Sequence, residues 1–212
     1  MNKRGCFISI EGVEGVGKTT NLAFLQSLLT SKGISFITTR EPGGTPVAEK
    51  IRDLLLDKNN GDMTDIAELM LVFAARAQHV ESLIEPALER GDWVICDRFT
   101  DSTYAYQGGG RGMSLQLIQQ IDSVALKEYQ PDVTILLDLP IEIGLERASL
   151  RGELDRFERE SASFFERVRA TFLTRAADNP DRIFVIDAGQ SLESVQIAIE
   201  AALQKSLAEW RA

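Results

Sequence analysis

Residues that build metal cages and covalent cross-links are scarce in this chain. Two cysteines occur among 212 residues. Cys6 and Cys96 both fall in apolar runs without metal-ligand spacing, so they read as buried thiols of a reducing cytoplasm. Basic charge is in deficit: 23 Lys and Arg stand against 32 Asp and Glu, a formal net charge of −9. That balance excludes a nucleic-acid partner, which needs a basic face. It leaves room for an anionic mononucleotide if arginines gather locally. No apolar stretch reaches membrane-spanning length, and Met1-Asn2-Lys3-Arg4 leads straight into a strand, so neither membrane contact nor a secretory leader is expected. Internal repeats, low-complexity tracts and domain-dividing linkers are also missing. With 44% hydrophobic and 26% charged residues, a chain of this length is expected to form a single domain over residues 1–212.

What is present is a motif. Gly12-Val13-Glu14-Gly15-Val16-Gly17-Lys18-Thr19 follows the apolar run Cys6 to Ile10 and matches GxxxxGK[ST] between a strand and a helix. Glycines let successive N–H groups point at phosphates, and the helix N-terminus adds its positive end. Lys18 reaches the β- and γ-phosphates, Thr19 can hold Mg²⁺, and Thr20 opens the helix beside them. The chain is therefore read as binding ATP with Mg²⁺, through Gly12 to Thr20.

Short apolar strands alternate with helical stretches, which predicts a parallel sheet covered on both faces. Strands are expected at Cys6–Ile10, Ser35–Thr38, Trp93–Cys96, Val133–Leu137 and Arg182–Ile186. Helices are expected after Gly17 (ending at Gly33), at Pro46–Leu56, Asp65–Arg90, Ser114–Lys127, Ile141–Leu150, Ser161–Ala177 and Leu192–Trp210. The fold class is α/β, a P-loop NTPase-like three-layer sandwich around five parallel strands. Function in such a sheet gathers at the C-terminal strand ends. Asp97, directly after a buried strand, is the candidate metal-side carboxylate, and Arg98 beside it would face the same phosphates.

Several blocks, in order, resemble thymidylate kinases: Arg40-Glu41-Pro42-Gly43-Gly44, Phe73-Ala74-Ala75-Arg76-Ala77-Gln78-His79, Asp101 to Gly109, and Arg151 to Arg156. The resemblance covers essentially the whole chain. It implies transfer of the γ-phosphoryl group of ATP to dTMP, giving dTDP and ADP for dTTP synthesis, by a cytoplasmic homodimer. It further implies that Arg98 holds the acceptor phosphate, while Asp97 positions metal or attacking oxygen. Glu14 would take the sugar 3′-hydroxyl, and Arg76, with Thr103 and Ser102, would read the base. Tyr106 would lie against the sugar where a 2′-hydroxyl would project. Pro42 and Leu54 would pack on the base, and Gln107 would join the same pocket.

The phosphate loop holds no basic residue between Gly12 and Gly17, so the resemblance is to the type with a lid arginine. Arg151 is the candidate, Arg156 flanks the same turn, and the lid spans about 147–160. Arg147, four residues before Arg151, matches the family residue that stacks on adenine. One departure concerns the aromatic that stacks on thymine, usually four residues before the base-reading arginine. Val72 stands there, and Phe73 comes three before Arg76. Both spacings share a helical face with Arg76; Phe73 is taken as the platform, with Val72 packing as the alternative. His79, the one histidine, is expected to pack rather than catalyse. Other readings are a small kinase acting on UMP, CMP or shikimate, a GTP-binding switch protein, and a catalytically silent nucleotide-binding module. The switch reading lacks a guanine-reading N/T-K-x-D motif. Against the silent module, Lys18, Thr19, Asp97, Arg98 and the lid arginines are all present.

Overall fold

The computed structural model describes residues 4–126, 129–149 and 155–211. The chain begins β1 (Phe7–Glu11), α1 (Lys18–Ser31), β2 (Phe36–Arg40), α2 (Pro46–Leu56) and α3 (Asp65–His79). A π-helical turn (Val80–Ile84) leads to α4 (Glu85–Glu89) and β3 (Trp93–Asp97). Then come α5 (Thr100–Thr103), a second π-helical stretch (Tyr104–Gly110), α6 (Leu115–Leu126) and β4 (Val133–Asp138). The chain finishes with α7 (Ile141–Ser149), α8 (Ala162–Asp178), β5 (Ile183–Asp187) and α9 (Leu192–Arg211). The strands form one sheet in the order β2-β3-β1-β4-β5, and every pairing is parallel. This is the expected α/β sandwich.

Period-two alternation divides the sheet into two faces. Ile8, Ile10, Ile95 and Ile135 pack with Leu25 and Leu29 of α1, Phe165 and Phe172 of α8, and Ile199 and Leu203 of α9. Phe7, Val94 and Cys96 pack on the other side with Leu69 and Phe73 of α3, Leu88 of α4 and Ile118 of α6. Central β1 is buried along its whole length, as helices on both faces require, whereas the edge strands β2 and β5 are only partly covered. Both cysteines are free thiols, Cys96 buried and Cys6 half-buried. Burial pushes the Cys6 thiol up to about 12.

Expected strand and helix ends agree with the observed ones to within two residues, apart from the expected ends at Lys127 and Leu150, which lie outside the described residues, and two exceptions. The long helix expected over Asp65–Arg90 is helical but widens at Val80–Ile84, where Glu85 N–H reaches back to Val80 O. Pro86 lacks an N–H for Ser82 O, and its ring would crowd that carbonyl; one wider turn accommodates both. The helical path from Thr100 to Gly110 was not expected, because three consecutive glycines disfavour a helix by propensity. Here they let α8 come close. A Cβ on Gly109 would lie 2.1 Å from Thr171 Oγ1, and one on Gly110 would lie 2.4 Å from the Phe164 ring.

A buried charge knot holds this stretch against the sheet. The Asp101 carboxylate, 1% exposed, accepts from Arg175 Nε (2.6 Å) and from Arg182 Nη1 (2.7 Å) and Nη2 (3.1 Å). Arg182 also donates to Thr134 Oγ1 (2.8 Å). Burial works to raise the Asp101 pKa, but Arg182 and Arg175 hold it below the ordinary carboxylate range. Its stabilising effect is thus present above about pH 4 and lost as pH falls through the lowered folded value. Asp101→Ala leaves two inward arginines unpaired and is expected to destabilise the fold by about 3–5 kcal/mol. Urea unfolding at pH 7 checks this, and a cost below about 1 kcal/mol would contradict it.

Candidate active site

The phosphate loop leaves β1 through three glycines at positive φ: Gly12 (138°), Gly15 (74°) and Gly17 (92°). Only glycine enters these conformations without strain. Gly15 must also lack a side chain because a Cβ there would sit 2.0 Å from Gly144 O of α7. Lys18, the first residue of α1, folds back so that Nζ donates to Gly12 O and Val13 O, both at 3.0 Å. Burial, reinforced by nearby Arg98, lowers its pKa to about 8. Thr19 and Thr20 are exposed on the first turn, which holds no acidic residue, so its positive end faces outward uncompensated. Arg147 lies exposed on α7, the helix that Gly15 abuts.

Asp97 ends β3 beside the loop, and its Oδ1 is buried with no hydrogen-bond partner among the described residues. An orphaned carboxylate oxygen, with a threonine hydroxyl exposed on the first turn of α1, suits a hard cation that takes one or two protein oxygens and fills its shell with phosphate and water. Among the described residues no cluster of three or more His, Cys, Asp or Glu converges as a metal cage.

A cavity opens directly from the loop. Glu14, Pro42, Arg76, Asp97, Arg98, Ser102, Thr103, Tyr106 and Gln107 border it, as the sequence suggested. Arg40, Glu41, Arg52, Leu56, Val72, Asp155 and Phe157 border it as well. Arg98 takes φ 68°. Its guanidinium donates to Gly12 O (2.9 Å), Ser102 Oγ (3.2 Å) and Glu14 Oε1 (2.8 Å), and lies over the Tyr106 ring at 4.9 Å. Burial opposes its charge, but Tyr106, Glu14, Asp97 and Glu11 hold its pKa above the ordinary value. Tyr106 donates its hydroxyl to both Glu14 oxygens at 2.8 Å. Behind them Glu11 accepts from Phe99 N–H (2.7 Å) and Ser102 Oγ (2.6 Å). Burial, with Asp101 adding, raises the Glu11 pKa to about 7.

The far end of the cavity is organised around Arg76, 2% exposed. Nε donates to Glu41 Oε2 (2.5 Å), Nη1 to Thr103 Oγ1 (2.9 Å) and Nη2 to Phe99 O (3.2 Å). His79 Nδ1 lies 2.9 Å from the other Glu41 oxygen and Nε2 lies 2.7 Å from Thr39 Oγ1. A carboxylate only accepts, so Nδ1 carries a proton toward Glu41. His79 therefore packs, as expected, and does so as the polar support of Glu41. Arg52 donates to Pro42 O (2.7 Å), and burial together with Arg40 lowers its pKa. Positive charge crowded this way is relieved by an incoming anion.

Two expectations are corrected. Phe73 does not border the cavity: it is 2% exposed and packs in the core with Leu69, Val94 and Ile118. Val72, at i,i+4 to Arg76, faces the cavity instead. Leu54 is 51% exposed on the outer side of α2, and Leu56, two residues on, supplies the apolar wall. Arg151 and the turn around it lie outside the described residues. Arg156 sits away from the phosphate loop: Nη1 pairs with buried Glu68 (2.6 Å) and Nε donates to Leu55 O (2.8 Å). Asp155 and Phe157 were missed because the segment was read only as a lid over phosphates; the Arg156-Phe157 pair was the available signal.

Comparison with known proteins points to a single family. The family profile described as thymidylate kinase matches residues 10–199. A thymidylate kinase of Teredinibacter turnerae is 56% identical over 203 residues, covering 96% of this chain and 99% of that protein. One from Pseudomonas fluorescens is 56% identical over 199 residues, covering 94% and 95%. The crystal structure of thymidylate kinase from Ehrlichia chaffeensis superposes with a TM-score of 0.76 at 33% identity, covering 95% of this chain and 99% of that one.

Proposed function

The chain belongs to the thymidylate kinase family, and from that premise we propose how its residues divide the transfer of the γ-phosphoryl group from ATP to dTMP. The observation that carries the division is that Glu14 and Arg98 belong at once to the phosphate-loop side and to the acceptor cavity. A donor and an acceptor held on either side of that pair would meet in line, and positioning of this kind supplies most of the catalysis in phosphoryl transfer.

Gly12 to Thr20 cradles the ATP phosphates, and Lys18 neutralises charge on the transferred group. Arg147 packs on adenine. Thr19 and Asp97 provide the protein oxygens for Mg²⁺, which when bound offsets phosphate charge. In the acceptor cavity Arg98 grips the 5′-phosphate, with Ser102 orienting it. Glu14 takes the 3′-hydroxyl, and Tyr106, held by Glu14, occupies the space a 2′-hydroxyl would need. Arg76, Thr103 and Gln107 read the base edge, and Pro42, Leu56 and Val72 supply apolar walls around it. Arg151, from a lid spanning about 147–160 of a single kinase domain, supplies the cation that completes the transition state.

A cytoplasmic homodimer is the assembly we infer. Ile66 and Met70, about half exposed at i,i+4 on α3, offer an apolar face for it, and among the described residues no helix is long and apolar enough to cross a membrane. The acceptor cavity predicts a substrate order under ATP and Mg²⁺: dTMP first, dUMP poorer, UMP much poorer. Initial rates across a panel of nucleoside monophosphates check it. Faster turnover of UMP, AMP or GMP than of dTMP would overturn the assignment of the cavity.

A further inference from the structure

We propose that Phe157 is the aromatic platform on which the acceptor's base rests, a role that no aromatic of α3 fills in this chain; the proposal rests on the dTMP reading above. Helix α3 brings Val72 to the cavity and turns Phe73 into the core. Two aromatic side chains border the cavity among the described residues, Tyr106 and Phe157. Tyr106 is committed at the phosphate end by its hydroxyl on Glu14 and by the Arg98 guanidinium over its ring. Phe157 borders the same cavity beside it.

Its position follows from its neighbour in sequence. Arg156 N–H donates to Leu56 O (3.3 Å), and its side chain pairs with Glu68 Oε2. Glu68 Oε1 in turn accepts from Gln107 Nε2 (2.8 Å). Leu56 and Gln107 both border the base end of the cavity, so the network that anchors residue 156 delivers residue 157 there. The ring is fixed as well as placed. Phe157 N–H donates to Asp155 Oδ1 (2.8 Å), Tyr106 meets it edge-on at 6.1 Å, and the Arg156 guanidinium lies 4.5 Å over it. Two guanidinium groups lie against the ring, Arg156 and, at 5.8 Å, Arg111, and the side chain also borders the cavity. A planar base there completes a stack at little ordering cost, since the ring is already immobilised. The platform therefore comes from the segment that precedes α8 rather than from α3.

The test is titration of Phe157→Ala and Phe157→Leu with dTMP, 2-deoxyribose 5-phosphate and ATP, with thermal unfolding alongside. Base–aromatic stacking energies correspond to a loss of about 5- to 150-fold in dTMP affinity for Phe157→Ala. Binding of the base-free sugar phosphate and of ATP should stay within about twofold. Phe157→Leu keeps apolar volume against Tyr106, so it should unfold like the wild type and still lose several-fold in dTMP affinity. Phe157→Tyr should retain affinity, and adding Val72→Phe to Phe157→Ala should recover part of it. Equal losses for dTMP and the sugar phosphate would mark a merely structural ring and overturn the proposal, as would unchanged dTMP affinity in Phe157→Ala. Wild-type protein binding dTMP no tighter than the sugar phosphate would instead bring down the dTMP reading itself, and the proposal with it.

Discussion

Lys18→Ala is expected to lower kcat by about 10²- to 10³-fold, the range found when a preorganised charge donor is removed from a developing anion. The ammonium lies on the floor of the loop, held by Gly12 O and Val13 O at 3.0 Å, so it meets the triphosphate without further ordering. The same confinement makes its charge conditional. Burial first, then Arg98, lowers its pKa to about 8, against the pull of Glu14, Asp97 and Glu11. Below that value the free enzyme carries the proton; as pH rises through about 8 the proton is lost, and kcat/KM for ATP should fall by about tenfold per unit at its limit. Bound triphosphate adds negative charge and raises the pKa, so kcat should hold to higher pH than kcat/KM. Lys18→Arg separates charge from titration, because a guanidinium keeps its proton throughout this range. Its alkaline limb in kcat/KM should vanish even if its rate is low. A limb near pH 8 that persists in Lys18→Arg would assign the titration to another group.

The phosphate loop, the five strands and most of the residues that line the cavity could be read from sequence because each rests on local rules. Gly-rich turns, buried runs and residues at strand ends point one way whatever surrounds them. The misplacements arose where local rules are degenerate. Phe73 and Val72 both share a helical face with Arg76, at i,i+3 and i,i+4, and periodicity cannot say which side the sheet covers. The core took Phe73 because it stands four residues after Leu69 on the face that meets Val94 and Ile118. Leu54 and Leu56 pose the same problem on α2, whose last turn has one apolar side inward and one outward. The π-helical stretches carry no periodic signature: Val80–Ile84 follows from Pro86, and Tyr104–Gly110 from glycines whose worth depends on how near α8 comes. The pairing of Arg156 with Glu68 joins residues far apart in the chain and left no trace in either local sequence.

Arg98→Ala is expected to reduce kcat/KM for dTMP by about 10²- to 10³-fold while ATP affinity changes far less. The guanidinium is the positive centre among Glu14, Asp97 and Glu11. Without it an incoming phosphate meets Glu14, Asp97 and Glu11 with their nearest opposing cation gone, and removing one member of a buried hydrogen-bonded charge pair costs about 2–5 kcal/mol or more. Lysine should rescue little, since one point charge cannot reach Gly12 O, Ser102 Oγ and Glu14 together as the planar fork does. The backbone offers a control. Arg98 stands at φ 68°, a conformation costing an L-residue about 1–2 kcal/mol, and is kept there by its own N–H on Ile10 O (3.0 Å) and by Phe99 N–H on Glu11 Oε1 (2.7 Å). Strain held from both sides persists because the surroundings over-determine it. Arg98→Gly removes the guanidinium and the strain at once. It should unfold at higher denaturant than Arg98→Ala, by about 1 kcal/mol, yet be equally poor with dTMP. If Arg98→Gly were clearly more active than Arg98→Ala, the backbone turn rather than the guanidinium would be the catalytic contribution of this position. If both kept normal KM for dTMP and lost ATP binding instead, Arg98 would belong to the donor side of the site.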